Sequence, residues 1–256
     1  MLSFKAKMQE AAKSKNSRIV LALDFPFEAA ENRNKVLVKA QSILKAVHPY
    51  ICAVKINHHL VLPLGIFDGV QQLVEQIRGQ GMLAIMDAKV NDIGATNQTI
   101  ARYYYAAGFD ALIANPFIGW EEGLKPLFEV SQRLNRGMIL LCYMSHKGAS
   151  EGYGQTIIDS ETGEKTLQYI SFAKKALKYC ADGIVVGATC PQKIAEVKQV
   201  VGEKVPVYSP GVGTQGGAAE TAVKAGANYL IVGREITLSA DPAKAANQLL
   251  DSIKGI

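Results

Sequence analysis

The segment Met82–Ile93 reads MLAIMDAKVNDI, an apolar run that ends in charged residues. The run Met82–Met86 has the length of a β-strand and is apolar throughout, which is typical of a parallel strand covered on both faces. Asp87, Lys89 and Asp92 follow it at once. Charges placed directly after a buried run are costly unless they pair with one another, so this segment predicts a strand with a functional end.

Further apolar runs of similar length recur on both sides of this segment. Stretches with helical spacing separate them, for example Val36–Val47 and Leu167–Tyr179. This alternation within 256 residues predicts one (β/α)8 barrel domain over residues 1–256 with a short N-terminal helix, and an open doubly wound sheet is the alternative. The other predicted strands are Ile19–Leu23, Ile51–Ile56, Ala111–Ala114, Met138–Met144, Ile184–Val186, Val205–Tyr208 and Tyr229–Val232.

The composition favours a soluble globular protein. Hydrophobic residues make up 48% of the chain, but no run approaches the roughly 20 apolar residues of a membrane span. The net charge of +5 suits an anionic substrate, and because the basic residues are scattered we expect no nucleic-acid partner. The four cysteines lack CxxC spacing, so we expect buried reduced thiols and a cytoplasmic location; they are Cys52, Cys142, Cys180 and Cys190.

Polar or small residues close nearly every apolar run. In a barrel the carboxyl ends of the strands meet at one rim, so residues far apart in sequence form one cluster there. Asp87 and Lys89 are two positions apart on a strand and should project to the same side, with Lys55 as a second cation. Such an array either closes the barrel mouth as an ion-pair network or holds a lysine protonated while that lysine stabilises developing negative charge.

Glycines dominate the segment after the seventh predicted strand. Gly211, Gly213, Gly216 and Gly217 allow the backbone to turn its N–H groups toward an anion. After the eighth strand, a short helix beginning near Glu235 would add donors beside Arg234. Barrels often bind phosphate after these two strands, so we predict a phosphate site, and a glycine-rich turn without a ligand is the alternative.

The longest stretch without a periodic pattern is Ser145–Glu164. An irregular segment of this length after the fifth strand, at the catalytic rim, is a candidate lid. An ordinary surface loop is the alternative.

The pattern DxKxxDIxxT, formed by Asp87, Lys89, Asp92, Ile93 and Thr96, resembles the signature of orotidine 5'-phosphate decarboxylases. The similarity continues in family order over most of the chain. Its other parts are LALD at 21–24, VKI at 54–56, MSH at 144–146, YSPGVGTQGG at 208–217 and VGR at 232–234.

This resemblance implies decarboxylation of orotidine 5'-phosphate to UMP without a metal or an organic cofactor. Asp87 would lie beside the substrate carboxylate, and Lys89 would stabilise the C6 carbanion and then protonate it. Lys55 and Asp92 would complete the catalytic set.

The substrate contacts follow from the same resemblance. Asp24 and Lys55 would hold ribose hydroxyls, Ser145 would bind the pyrimidine edge, and Gln215 would connect the lid with the phosphate. Asp92 and Thr96 would enter the site of a neighbouring subunit, which implies a homodimer. The full implied substrate-binding set is Asp24, Lys55, Ile93, Thr96, Ser145, Pro210, Gly213, Gln215, Gly233 and Arg234.

Two other functions stay open. Related sugar-phosphate decarboxylases and aldolases carry DxKxxD but hold magnesium with a glutamate at the end of the second strand, where this chain has Lys55. A non-enzymatic binder of phosphate ligands would not need a buried charge array. The adjacent pair His58-His59 predicts no metal site, because neighbouring residues on a strand point apart.

Overall fold

A closed barrel of parallel strands forms the body of the protein in the computed structural model, which describes residues 2–28, 32–159 and 162–256. Its strands are β1 (Ile19–Ala22), β2 (Ala53–Asn57), β3 (Leu83–Val90), β4 (Ala111–Ala114), β5 (Gly137–Tyr143), β8 (Gly183–Val186), β9 (Val207–Pro210) and β10 (Tyr229–Val232). Their order around the barrel is β1-β10-β9-β8-β5-β4-β3-β2. The predicted fold is therefore confirmed, and the open sheet is excluded.

Helices cover the outside of the barrel. The N-terminal helix and the predicted helical stretches Val36–Val47 and Leu167–Tyr179 are present, the first of these two beginning at Arg33 and the second at Gln168. The helices are α1 (Phe4–Lys15), α2 (Arg33–Val47), α3 (His58–Leu64), α4 (Val70–Gly79), α5 (Gly94–Ala106), α6 (Lys125–Arg133), α7 (Ala149–Gly152), α8 (Gln168–Lys178), α9 (Pro191–Val201), α10 (Ala219–Lys224), α11 (Arg234–Thr237) and α12 (Pro242–Ser252).

Aromatic side chains fill the floor of the barrel, at the end opposite the carboxyl ends of the strands. Gly137 and Gly183 lie at the start of their strands, and neither has room for a side chain. A Cβ on Gly137 would come within 2.4 Å of the Phe4 ring, and one on Gly183 would come within 2.4 Å of the Tyr208 ring. These two glycines therefore admit Phe4 and Tyr208 into the core.

Helix α1 is tied to the floor by both apolar and polar contacts. Its residues Phe4 and Met8 are buried. Three of its lysines donate to backbone carbonyls that lie one to three residues after the end of another helix. Lys15 donates to Gln80 O after α4 at 2.9 Å, Lys7 to Asn135 O after α6 at 3.4 Å and Lys5 to Lys204 O after α9 at 3.1 Å. These cations match the negative end of the helix dipole at α4, α6 and α9.

Two further findings bear on the sequence predictions. Across the described residues, no helix has the length and apolarity that a membrane crossing requires. The four cysteines are free, and Cys52 and Cys142 are buried as predicted. Cys180 is exposed and Cys190 is half-buried, so the expectation of buried thiols is wrong for these two.

Candidate active site

A cavity of about 230 Å³ opens at the rim formed by the carboxyl ends of the barrel strands. Residues in or just after all eight barrel strands reach it, because side chains that alternate along a strand bring every second residue to the interior. Its lining is Ala22, Asp24, Lys55, Asn57, Asp87, Lys89, Ile113, Leu141, Met144, Ser145, Val185, Pro210, Gly211, Val212, Thr214, Gln215, Ile231, Gly233 and Arg234. Most of the predicted site residues thus meet in one place.

The charged centre of the cavity is a Lys–Asp–Lys array. Asp87 Oδ2 accepts a hydrogen bond from Lys55 Nζ at 2.8 Å, and Asp87 Oδ1 accepts one from Lys89 Nζ at 2.8 Å. The Lys55 and Asp87 side chains are 7% and 10% exposed, whereas that of Lys89 is 39% exposed. Lys89 is therefore the cation of the array that remains open to the cavity.

The two lysines set the charge of Asp87. Burial by itself would raise the pKa of the Asp87 carboxyl, but the charges and hydrogen bonds of Lys55 and Lys89 outweigh it and lower the pKa to about 2. Asp87 is thus a carboxylate throughout the neutral range. A fixed carboxylate of this kind holds the Lys89 ammonium in one place before any ligand arrives.

The backbone at Lys89 has an uncommon conformation. Its φ is +47°, in the left-handed region that non-glycine residues seldom occupy. The pairing of β3 with β4 shifts register between Met86 and Val90, around this residue. The shift re-aims the Lys89 side chain, as irregularities in strands beside active sites commonly do.

On the other side of β2, Asp24 presents an acceptor without a partner. Its Oδ1 is buried and receives no hydrogen bond from the described residues. The Thr237 hydroxyl donates to Asp24 O at 2.8 Å and so fixes the backbone of Asp24. A Cβ on Gly233 would come within 2.4 Å of Asp24 Oδ1, so a glycine is needed for the carboxylate to reach this position. A ligand hydroxyl would satisfy this oxygen.

The glycine-rich loop after β9 is held by its own backbone. Gly213 N donates to Gly217 O at 2.8 Å, and Gly217 N donates to Gly211 O at 3.1 Å. Gly211 has a φ of +94°, and a Cβ there would meet the Gln215 and Ser145 side chains. The loop therefore brings the Gln215 amide close to Ser145, which lies just after β5.

Arg234 stands opposite this loop at the first residue of α11. The helix begins one residue earlier than predicted, so Arg234 itself is its first helical residue. Arg234 and Gln215 are both exposed and line the cavity. A guanidinium and an amide that line the cavity together offer hydrogen-bond donors of the kind that bind an anion.

Four predicted residues lie outside the cavity lining. Asp92, Ile93 and Thr96 are exposed, and Ile93 has 70% of its surface free. The buried Asn97 fixes their loop, because its amide donates to Gly123 O at 2.9 Å and its Oδ1 accepts from Asp92 N at 3.2 Å. Gly213 packs instead against the Glu235 side chain.

Some lining residues were not predicted. Asn57 lies level with Asp87 in the pairing of β2 with β3, and its side chain also accepts from His59 N at 2.9 Å at the start of α3. Two-residue periodicity from Lys55 could have found it. Met144 and Thr214 lie within the motifs MSH and YSPGVGTQGG, but neither was singled out as a site residue. His58 and His59 are exposed and lie in the first turn of α3, not on a strand as predicted.

The candidate lid is more regular than predicted. The stretch Ser145–Glu164 contains α7 and the strand β6 (Thr156–Ile158), which pairs antiparallel with β7 (Lys165–Leu167); residues 160–161 lie outside the described part of the chain. Tyr153 anchors this stretch by ring contacts with Phe117 and Phe172 at 5.5 and 6.2 Å. Of the described residues in it, Ser145 alone lines the cavity, so its role as a lid stays a prediction.

The donor set of the cavity does not suit a bound metal ion. Within residues 2–28, 32–159 and 162–256, no three His, Cys, Asp or Glu side chains form a group that could ligate one. Asp87, the carboxylate at the centre, already accepts from two ammonium groups.

Comparison with known proteins identifies the family. The sequence profile described as "Orotidine 5'-phosphate decarboxylase / HUMPS family" matches residues 17–249. The chain belongs to this family. Relatives named orotidine 5'-phosphate decarboxylase include those of Pyrococcus horikoshii, 34% identical over 93% of this chain and 100% of that protein, and Methanosarcina acetivorans, 30% identical over 94% and 96%.

Solved structures of the orotidine 5'-phosphate decarboxylase family agree with this. The Pyrococcus horikoshii enzyme has a TM-score of 0.75 and 32% identity, covering 93% of this chain and all of its own. The Methanocaldococcus jannaschii enzyme, solved with the inhibitor BMP, has a TM-score of 0.75 and 29% identity over 92% and 97%. Leishmania donovani UMP synthase has a TM-score of 0.85 and 26% identity, and this chain spans 57% of it.

Proposed function

We propose that this protein converts orotidine 5'-phosphate to UMP and carbon dioxide, using no metal and no organic cofactor. The observation that carries the proposal is the Lys89 ammonium, which Asp87 holds at 2.8 Å in a cavity with an anion site at its far end. Relatives of the same name at 30–34% identity over most of the chain support it.

The reaction needs a cation where an electron pair appears. When the bond between C6 and the carboxylate breaks, carbon dioxide leaves and both bonding electrons stay on C6. The Lys89 ammonium stabilises that charge and then gives C6 a proton, which yields UMP and a neutral amine. The Asp87 carboxylate lies near the departing substrate carboxylate and keeps the Lys89 side chain oriented. After UMP is released, solvent returns a proton to the Lys89 amine.

The remaining residues bind the parts of the substrate that do not react. Arg234, Gly233 and Gln215 grip the phosphate, and Asp24 with Lys55 takes the ribose hydroxyls. Ser145 binds the pyrimidine edge, and Pro210 forms part of its apolar surround. Binding energy from the remote phosphate is thereby available to order the site around the reacting carbon.

We also propose a homodimer in which two sites are shared. Asp92, Ile93 and Thr96 are exposed and lie outside the cavity of their own chain, although the family pattern includes them. Nearby, Phe67 and Tyr103 are 53% and 56% exposed and touch edge to face at 6.0 Å. Tyr103 and Thr96 lie on the same helix, α5, and an exposed aromatic pair there suits a subunit interface.

A cytoplasmic location belongs to the same proposal. The four cysteines are free, which fits a reducing compartment. The substrate and product are nucleotides of pyrimidine biosynthesis.

The deciding experiment adds orotidine 5'-phosphate to the purified protein in the presence of EDTA. We expect the ultraviolet absorbance of the substrate to fall and UMP to appear, with the same rate with and without the chelator. Loss of activity in EDTA that magnesium restores would favour the metal-dependent sugar-phosphate enzymes. Binding of UMP without any turnover would favour a non-enzymatic binder.

A further inference from the structure

The segment Gly187–Thr189, called the bridging segment below, lies between two loops that both line the cavity. It follows β8 directly. On one side is Ser145, which follows β5 and lines the cavity, and on the other is the loop 211–217 after β9. Strand order places β8 between β5 and β9, so the bridging segment touches both.

Its contacts with the Ser145 side are close. Gly187 N donates to Tyr143 O at 2.9 Å, and the Thr189 hydroxyl donates to Ser145 O at 3.0 Å. A Cβ on Gly187 would come within 2.7 Å of Ser145 Cα, so the two backbones pack against each other without an intervening side chain.

Its contacts with the phosphate side are equally close. Ala188 N donates to Pro210 O at 2.7 Å. A Cβ on Gly217 would come within 2.9 Å of Ala188 Cβ, so Gly217 has to be a glycine for the loop to lie against the bridging segment. Ala188 therefore fixes both ends of the loop 211–217 relative to β8.

Thr189 differs from its two neighbours because its contact is made by a side chain. It is half-buried and does not line the cavity, so it cannot touch a ligand there. The hydroxyl can be removed without changing the backbone, and this makes its contribution measurable.

We propose that Thr189 is a positioning residue: its hydrogen bond to Ser145 O holds the Ser145 loop at a fixed distance from the loop 211–217. The inference rests on the proposed function, since a substrate with a base at one end and a phosphate at the other binds both loops at once. A shift of about 1 Å in such a support can cost on the order of 100-fold in rate.

The test compares Thr189→Val, which keeps the shape and loses the hydroxyl, with Thr189→Ser, which keeps the hydroxyl. We expect Thr189→Val to lower kcat/KM for orotidine 5'-phosphate by about tenfold, equivalent to about 1.4 kcal/mol, and Thr189→Ser to stay within about twofold of the wild type. Ser131→Ala is the matched control, because it removes a buried hydroxyl bound to Phe128 O at 2.9 Å in α6. It should lower the melting temperature and leave both kinetic constants unchanged.

A double-mutant cycle with Gln215→Ala separates positioning from a merely structural role. If Thr189 keeps the two loops in register, the losses from Thr189→Val and Gln215→Ala are not additive. Additive losses, an unchanged kcat/KM in Thr189→Val, or an equal loss in Thr189→Ser would each overturn the proposal. If Thr189→Val does not fold, Thr189→Ala takes its place.

Hydrogen exchange gives a readout that does not need turnover. We expect amide exchange in residues 145–149 to speed up in Thr189→Val and not in Thr189→Ser, both with and without UMP. A wild-type protein that fails to decarboxylate would end the proposed function, while the exchange data would still decide whether Thr189 fixes this loop. Unchanged exchange in Thr189→Val would end the inference about Thr189.

Discussion

Lys89 Nζ lies 2.8 Å from Asp87 Oδ1, while the Lys89 backbone stands in the left-handed region at a φ of +47°. A left-handed backbone at a lysine costs about 1–2 kcal/mol, so the fold maintains a conformation that lysine itself disfavours. The ion pair and the strained backbone occur at the same residue, which is the one proposed to donate the proton.

Replacement of Lys89 should separate stability from activity. Lys89→Ala should retain the fold and lose at least about a thousandfold in kcat, because the stabilising cation and the proton donor both disappear. Lys89→Gly should be equally inactive but more stable than Lys89→Ala by about 1 kcal/mol, since glycine accepts the positive φ. Urea unfolding and the ultraviolet assay measure the two effects. Substantial turnover in either variant would remove Lys89 from the mechanism.

Acid should weaken the fold through Asp87. In the folded protein the pKa of this carboxyl is lowered from 3.8 to about 2. The ionised carboxylate therefore adds about 2 kcal/mol to the free energy of unfolding. This contribution is complete above pH 3.8 and is lost as the pH falls toward 2. Asp87→Asn should be less stable at neutral pH, because Lys55 is buried without its partner. Over this acid range it should also lose less stability than the wild type. Parallel urea titrations of both proteins decide this, and identical pH dependence would contradict it.

The proposed phosphate site predicts a large effect at a residue far from the reacting carbon. Arg234→Ala should lower kcat/KM by about 100-fold or more, or about 3 kcal/mol. Arg133→Ala at the exposed end of α6 is the control for loss of one positive charge, and it should behave as the wild type. A near-normal kcat/KM for Arg234→Ala would place the phosphate elsewhere.

Shared sites can be tested by mixing two inactive variants. In a heterodimer of Lys89→Ala with Asp92→Ala, one site carries both substitutions and the other carries neither. Random re-association of the two variants should restore about a quarter of the wild-type activity, since half of the dimers have one intact site of two. No recovery, with dimers demonstrated by sedimentation, would mean that Asp92 acts within its own chain.

Much of the fold and the charged centre could be predicted from sequence because the barrel repeats one simple rule. Apolar runs mark strands covered on both faces, and two-residue periodicity brings Asp87 and Lys89 to one side. Thr189 and Ala188 could not be found in this way, because their contacts are with backbone atoms of distant strands. The hairpin of β6 and β7 was also missed, since each strand has only three residues and none of them is fully buried.

The floor of the barrel has a consequence for the order in which the chain assembles. Helix α1 is synthesised before every strand of the barrel, yet Phe4 has no pocket until Gly137 is in its strand, and Lys5 has no acceptor until Lys204 has been made. Contacts between residues so distant in sequence form late, after the intervening chain has closed. Helix α1 is therefore made before the barrel strands but docks only after they have closed.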